Sequence, residues 1–109
     1  MMNSLKKMVI CTLAMAPQTD MFANNQVILT TAAGVIAGTM VEENSEKQGD
    51  VIFSTMLETI KEKYEADIEG NDGYMLLSDV TVINGNTRTN FEHMIVFYDQ
   101  IIGVTLGTI

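Results

Sequence analysis

The chain has no tryptophan, one proline, one cysteine, one histidine and one arginine. Each scarcity excludes something. A lone Cys11 rules out an intrachain disulfide, which fits a reducing compartment, and a cytoplasmic location is the expectation. One histidine and one cysteine supply no His/Cys metal set and no Cys–His pair placed by motif. A phosphate loop, a dinucleotide fingerprint and a nucleophile elbow are all missing. No catalytic residue, metal or cofactor is therefore expected. Basic residues number 6 against 14 acidic ones, a net charge of −8. Beyond Lys6-Lys7 there is no cationic cluster to displace counterions from a phosphate backbone, which argues against strong non-specific nucleic-acid binding. No stretch approaches the roughly 20 apolar residues of a membrane-spanning helix, so no membrane partner is expected.

What is present suits one packed domain over residues 1–109, with 47% apolar residues and nine methionines for an adaptable core or contact surface. The acidity is local. Residues 42–72 carry ten carboxylates against Lys47, Lys61 and Lys63, a net of −7, and the rest of the chain is nearly neutral. At the N-terminus, Lys6-Lys7 and the apolar run to Ala16 have the outline of a short signal peptide. Against that, the run is short and Pro17 would follow the cut. Cys11 reads as a small buried hydrophobe.

Residues 3–16 are expected to be helical, with Leu5, Met8, Val9, Thr12, Leu13 and Ala16 on one face and Pro17 ending the helix. A connector to residue 24 follows, with Met21-Phe22 as an anchor. Residues 27–31 and 35–41 read as two strands around the turn Ala32-Ala33-Gly34. Gly38 inside a strand marks a bend or a close backbone approach. After a polar loop, Asp50 is placed to cap a helix over 51–66. Phe53, Met56, Leu57, Ile60 and Tyr64 recur there at helical spacing and should pack inward. The last third reads as a strand over 74–83, a hairpin at Asn84-Gly85, a strand within 89–98, a bend at Asp99-Gln100 and a final strand over 101–108.

This order of a helix and five short strands, with the detail of its last third, resembles the Sm/LSm-like family. Gly34 and Gly38 match the family's first turn and bend, Leu76-Leu77-Ser78-Asp79 its third-strand pattern, and Ile101 through Leu106 its second motif. The resemblance covers about residues 25–41 and 74–109, with 42–73 as an acidic helical insertion. It implies a mainly β fold: a five-stranded, strongly bent, Sm-like (SH3-like) barrel with an N-terminal helix and an inserted amphipathic helix. It also implies a homo-oligomeric ring in which strand four of one subunit meets strand five of the next. Met94, Val96, Tyr98, Ile102, Val104 and Leu106 are then the interface candidates.

The family's RNA pocket uses a cation just before the second-motif glycine, where this chain has Ile102, and an asparagine early in strand three, where the nearest match is Tyr74. Against the Hfq branch, whose signature is Tyr-Lys-His, the matching residues are Tyr98-Asp99-Gln100. Tyr74 for stacking, Gln100 for hydrogen bonding and Arg88 for phosphate are the candidates left for weak single-stranded RNA binding. The more ordinary roles are Tyr74 packing, Asp99-Gln100 making a turn and Arg88 in a surface ion pair. Asp67-x-Glu69-x-Asn71 has the look of a calcium loop but places its glycine one residue late, and a solvated acidic turn explains it. Two functions follow. One is a non-catalytic ring-forming protein with weak RNA binding. The other is a structural or adaptor protein without a nucleic-acid role, its partner held by the acidic insertion.

Overall fold

Five antiparallel strands form one sheet in the order β4-β3-β2-β1-β5. They are β1 (Gln26–Thr31), β2 (Gly34–Met40), β3 (Tyr74–Asn84), β4 (Thr87–Phe97) and β5 (Ile101–Gly107). Two helices accompany them, α1 (Leu5–Met15) ahead of the sheet and α2 (Gln48–Tyr64) between β2 and β3. This computed structural model describes residues 5–42, 45–64 and 73–108, the side chains of residues 61, 63 and 64 excepted. The acidic Asp67–Gly73 turn thus lies almost wholly outside the described residues, as does the Tyr64 side chain.

The sheet begins as a two-residue hairpin. Thr31 pairs with Gly34 around Ala32-Ala33, and Gly34 has φ +139°, where a Cβ would stand 2.4 Å from the Ile83 carbonyl oxygen. The second hairpin closes Asn84 on Thr87, so its loop is Gly85-Asn86, one residue later than Asn84-Gly85. Gly85 at φ +60° supplies the left-handed turn. Among the described residues β4 pairs only with β3, and β5 only with β1. β4 and β5 are the outer strands of this order.

Between β2 and β3 the register slips: Thr39 faces Ser78 while Ala37 faces Thr81. The extra residue is a bulge at Asp79, at φ +51°. It reverses the strand's alternation. Met75 and Leu77 point inward, and after the bulge Val80 does, in place of the charged Asp79. Opposite lies Gly38, where a Cβ would meet Leu77 Cβ at 3.2 Å and the Ser78 carbonyl oxygen at 3.3 Å. The close approach expected at Gly38 is present.

The core joins Val27 and Leu29 of β1 to Met75, Leu77 and Val80 of β3, with Val96, Tyr98 and Ile101 from the β4–β5 corner. Ile10 and Ala14 of α1 complete it. Burying each of the larger aliphatic side chains contributes about 1.5–3 kcal/mol.

The helices depart from the periodicity reading. In α1 the buried residues are Ile10 and Ala14, whereas Leu5, Met8 and Val9 are exposed. The apolar residues run round this short helix, so spacing alone did not fix which face docks. Met21 and Phe22 are exposed and lie outside the buried core. Helix α2 starts two residues before Asp50, which sits in its first turn rather than at its cap. Phe53 and Leu57 turn inward, but Met56 and Ile60 remain exposed, at 55% and 51%. Among the described residues no helix is long and apolar enough to cross a membrane.

Candidate functional site

The one charged residue buried among those described is Asp50, 5% exposed. Its carboxylate is spanned on both sides. Ser45 Oγ donates to Oδ2 at 2.5 Å, and His93 Nε2 of β4 lies 2.5 Å from Oδ1. The Phe53 ring stacks on the imidazole at 4.8 Å between centroids. Gly49 lies against the other part of that ring, since a Cβ there would stand 2.7 Å from His93 Cε1. Burial pushes the Asp50 carboxyl up, but hydrogen bonds from Ser45 and His93, with the charges of His93 and Lys47, outweigh it and hold the pKa below its ordinary 3.8. The carboxylate stands between hydroxyl and imidazole, so His93 has no contact through which to activate Ser45. The cluster is a clasp fixing the start of α2 to the sheet.

At the start of β3, four residues before the Ser78 that faces His93, Tyr74 pairs across the ladder with Phe97, their rings meeting edge to face at 6.4 Å. The turn Tyr98–Gln100 follows, tied back by the Tyr98 N–H to the Gly73 carbonyl at 3.1 Å. Tyr98 is buried. Its hydroxyl lies 3.1 Å from Cys11 Sγ of α1, and the Lys7 ammonium sits 5.4 Å from its ring centroid. Burial, then the Cys11 contact, raises the Tyr98 pKa far above its ordinary 10.0. Cys11 is half-buried, packed against the core.

Of the RNA-contact candidates, the fold brings Tyr74 and Gln100 to the same end of the sheet. Gln100 is exposed, its Nε2 donating to Asp99 Oδ1 at 3.4 Å. Arg88 is exposed but stands nine residues up β4 from Phe97, opposite Ile83, roughly 30 Å along the strand. It does not join them. Of the interface candidates, Val96 and Tyr98 are buried in their own core, and Met94, Val104 and Leu106 are half-buried. Ile102 is 72% exposed. Met94 and Val96 lie on β4 and Val104 and Leu106 on β5, the outer strands of the sheet order, whereas Tyr98 sits in the turn between them with its N–H already donated to Gly73. Sequence reading passed over Phe97, 55% exposed beside the β4 edge; alternation about the buried Val96 was the available signal.

A cleft of about 840 Å³ opens between α2 and this end of the sheet. Met15, Met40, Leu57 and Tyr74 are among its apolar lining, and Glu42, Glu58 and Glu62 are its carboxylates. A smaller recess of about 390 Å³ lies over the bulge and includes Asp79, Phe91 and Glu92. Among the described residues no three His, Cys, Asp or Glu side chains are placed to share a metal ion. No protein-family model matches the chain, and neither a curated protein nor a solved structure matches it.

Proposed function

We propose that this protein is a non-catalytic, Sm-like assembly module whose copies join edge to edge, β4 of one against β5 of the next, into a homo-oligomeric ring. The observation that carries this reading is the strand order, which leaves β4 and β5 as the two outer strands of one antiparallel sheet. Unpaired edges are a liability unless another strand covers them. A contact between two different edges is heterologous, and such contacts close into rings when the rotation per copy permits. Ile102 on β5 and Phe97 on β4 supply exposed apolar side chains at those edges. Single-stranded RNA is a weak ligand in this reading, stacked at Tyr74 and hydrogen-bonded at Gln100. Its affinity is limited because Asp99 and Gln100 stand where a cation would serve phosphate.

A second reading has its own observation. Helix α2 presents Ile52, Met56 and Ile60 to solvent in a row and carries carboxylates beside it. In that reading the chain is an adaptor, with a protein partner held by the acidic segment.

Light scattering on the eluting native protein, with absorbance at 260 and 280 nm on the same peak, tests the first reading. A mass several times 12.0 kDa that falls toward the monomer in an Ile102→Lys, Phe97→Lys variant is the expected result. A monodisperse wild-type monomer overturns the ring. Excess 260 nm absorbance on the assembled peak supports RNA as its cargo, and clean protein absorbance removes it.

A further inference from the structure

We infer that the cleft between α2 and the sheet is a docking groove for a basic amphipathic segment of a partner protein. Its apolar side chains would lie on the methionine-lined floor and its lysines or arginines on Glu42, Glu58 and Glu62. The inference rests on the adaptor reading of the acidic segment and needs no ring.

The volume, about 840 Å³, exceeds what one side chain fills. The floor includes Met15, Met40 and Leu57. Flexible thioether side chains conform to varied apolar partners, which is how methionine-rich grooves accept amphipathic helices. The rim is of one sign: among the described residues lining the cleft there are three carboxylates and no cation. Glu58 and Glu62 are one helical turn apart, about 5–6 Å between their Cβ atoms, and Glu42 comes from the chain just past the end of β2. Among the described residues no three carboxylates, these included, are placed to share one metal ion. Lysines or arginines spaced one turn apart on a ligand helix meet the first two directly, and a third meets Glu42.

Charge also excludes the nearest competing occupants. The chain's own stretch 65–72, which continues from α2, contains four carboxylates and no lysine or arginine. A second copy offering its own α2 segment brings the net −7 of residues 42–72. Both would be repelled by the rim, whereas a basic segment would be drawn to it and held by the floor.

The test is fluorescence anisotropy of a labelled two-heptad peptide of leucines and lysines patterned as an amphipathic helix. It is titrated with the full-length protein at physiological salt. Reversing the rim with Glu58→Lys and Glu62→Lys should weaken binding at least about tenfold. Thr55→Trp, at an exposed lining position, should weaken it by filling the groove without altering charge. The control Glu46→Lys, Glu92→Lys makes the same net charge change elsewhere and should leave affinity within about twofold. Circular dichroism confirms the fold of each variant. Equal weakening by rim and control variants would mean bulk electrostatics and overturns the groove. So does equal binding of a peptide with glutamines in place of the lysines. If Ile52→Ser, Met56→Ser, Ile60→Ser abolishes binding while Thr55→Trp does not, the adaptor reading stands and the groove falls. If none of the α2 variants alters binding, both fall.

Discussion

Asp50 and His93 join the first turn of α2 to the middle of β4 through a 2.5 Å contact between Oδ1 and Nε2. The pair links residues 43 positions apart in the chain. It also positions the imidazole that Phe53 stacks on. Removing either partner leaves the other with an unmet polar group at a half-buried junction. Hydrogen bonds to charged groups contribute about 1.5–3 kcal/mol. Asp50→Ala is expected to lower stability by that amount. It should also speed amide hydrogen exchange in α2 well before it affects β1 or β3. Uniform loss of protection across the whole chain would show that the clasp does not act locally.

The pH dependence follows from the same carboxyl. Its folded pKa lies below its ordinary 3.8, so the folded state prefers the deprotonated form. The contribution is therefore complete above about pH 4 and lost as pH falls through the folded pKa. Chemical denaturation of wild type and Asp50→Asn between pH 6 and pH 2 checks this. The stability gap should be widest at the neutral end and shrink toward the acid end. A gap that grows with acidity would reverse the assignment.

Gly49 gives a prediction against helix propensity. In the first turn of an ordinary helix, glycine to alanine is worth up to about 1 kcal/mol in favour of alanine. Here the new methyl would stand 2.7 Å from His93 Cε1, on a ring held by Asp50 and Phe53. Gly49→Ala is expected to destabilise, and the same change in a His93→Ala background to stabilise. Thermal unfolding of the four proteins gives the coupling directly. Additive effects would mean that the ring yields without cost.

The strands were readable because their signals are local. Alternating Val27 and Leu29, the Gly85 hairpin and Gly38 each declare a backbone state within a few residues. The Asp50–His93 clasp was not readable, since nothing in either neighbourhood names the other. The docking face of α1 failed for a different reason. Leu5, Met8 and Val9 are as apolar as Ile10 and Ala14, and the choice between them is made by what the sheet presents. In α2 the apolar residues form a stripe wider than the contact available to it, so Met56 and Ile60 are left over. The cleft escaped for the same reason as the clasp, because its lining comes from α1, β2, α2 and β3 together.

Tyr98 ties the β4–β5 corner to α1 through Cys11. Tyr98→Phe removes the hydroxyl from a buried site and leaves the thiol without it, at a cost of about 0.5–1.5 kcal/mol. Because the folded pKa is raised above 10.0, the neutral phenol is the form that the fold favours. Its contribution is complete below pH 10 and declines as pH rises further. Absorbance titration at about 295 nm, where the phenolate absorbs, should show a fraction of the tyrosine signal appearing late, together with unfolding, and missing from Tyr98→Phe. A wild-type titration complete before any unfolding would contradict this.

Asp79 decides which residues of β3 face the core. At φ +51° it occupies the left-handed region, which aspartate and asparagine tolerate and β-branched residues do not. Its carbonyl accepts from Gln26 Nε2 at 3.2 Å, a backbone contact that any side chain at this position would permit. Asp79→Asn should therefore be close to neutral, while Asp79→Val should cost about 1–2 kcal/mol. The valine variant has a second route: to flatten the bulge, slide the strand by one residue and point the introduced valine inward in place of Val80. That slip would turn every side chain beyond it to the other face. Amide and methyl chemical shifts of residues 80–84 distinguish the two, staying near wild type if the bulge survives under strain. Equal losses for asparagine and valine would show that the aspartate side chain, and not the backbone conformation, is what the bulge requires.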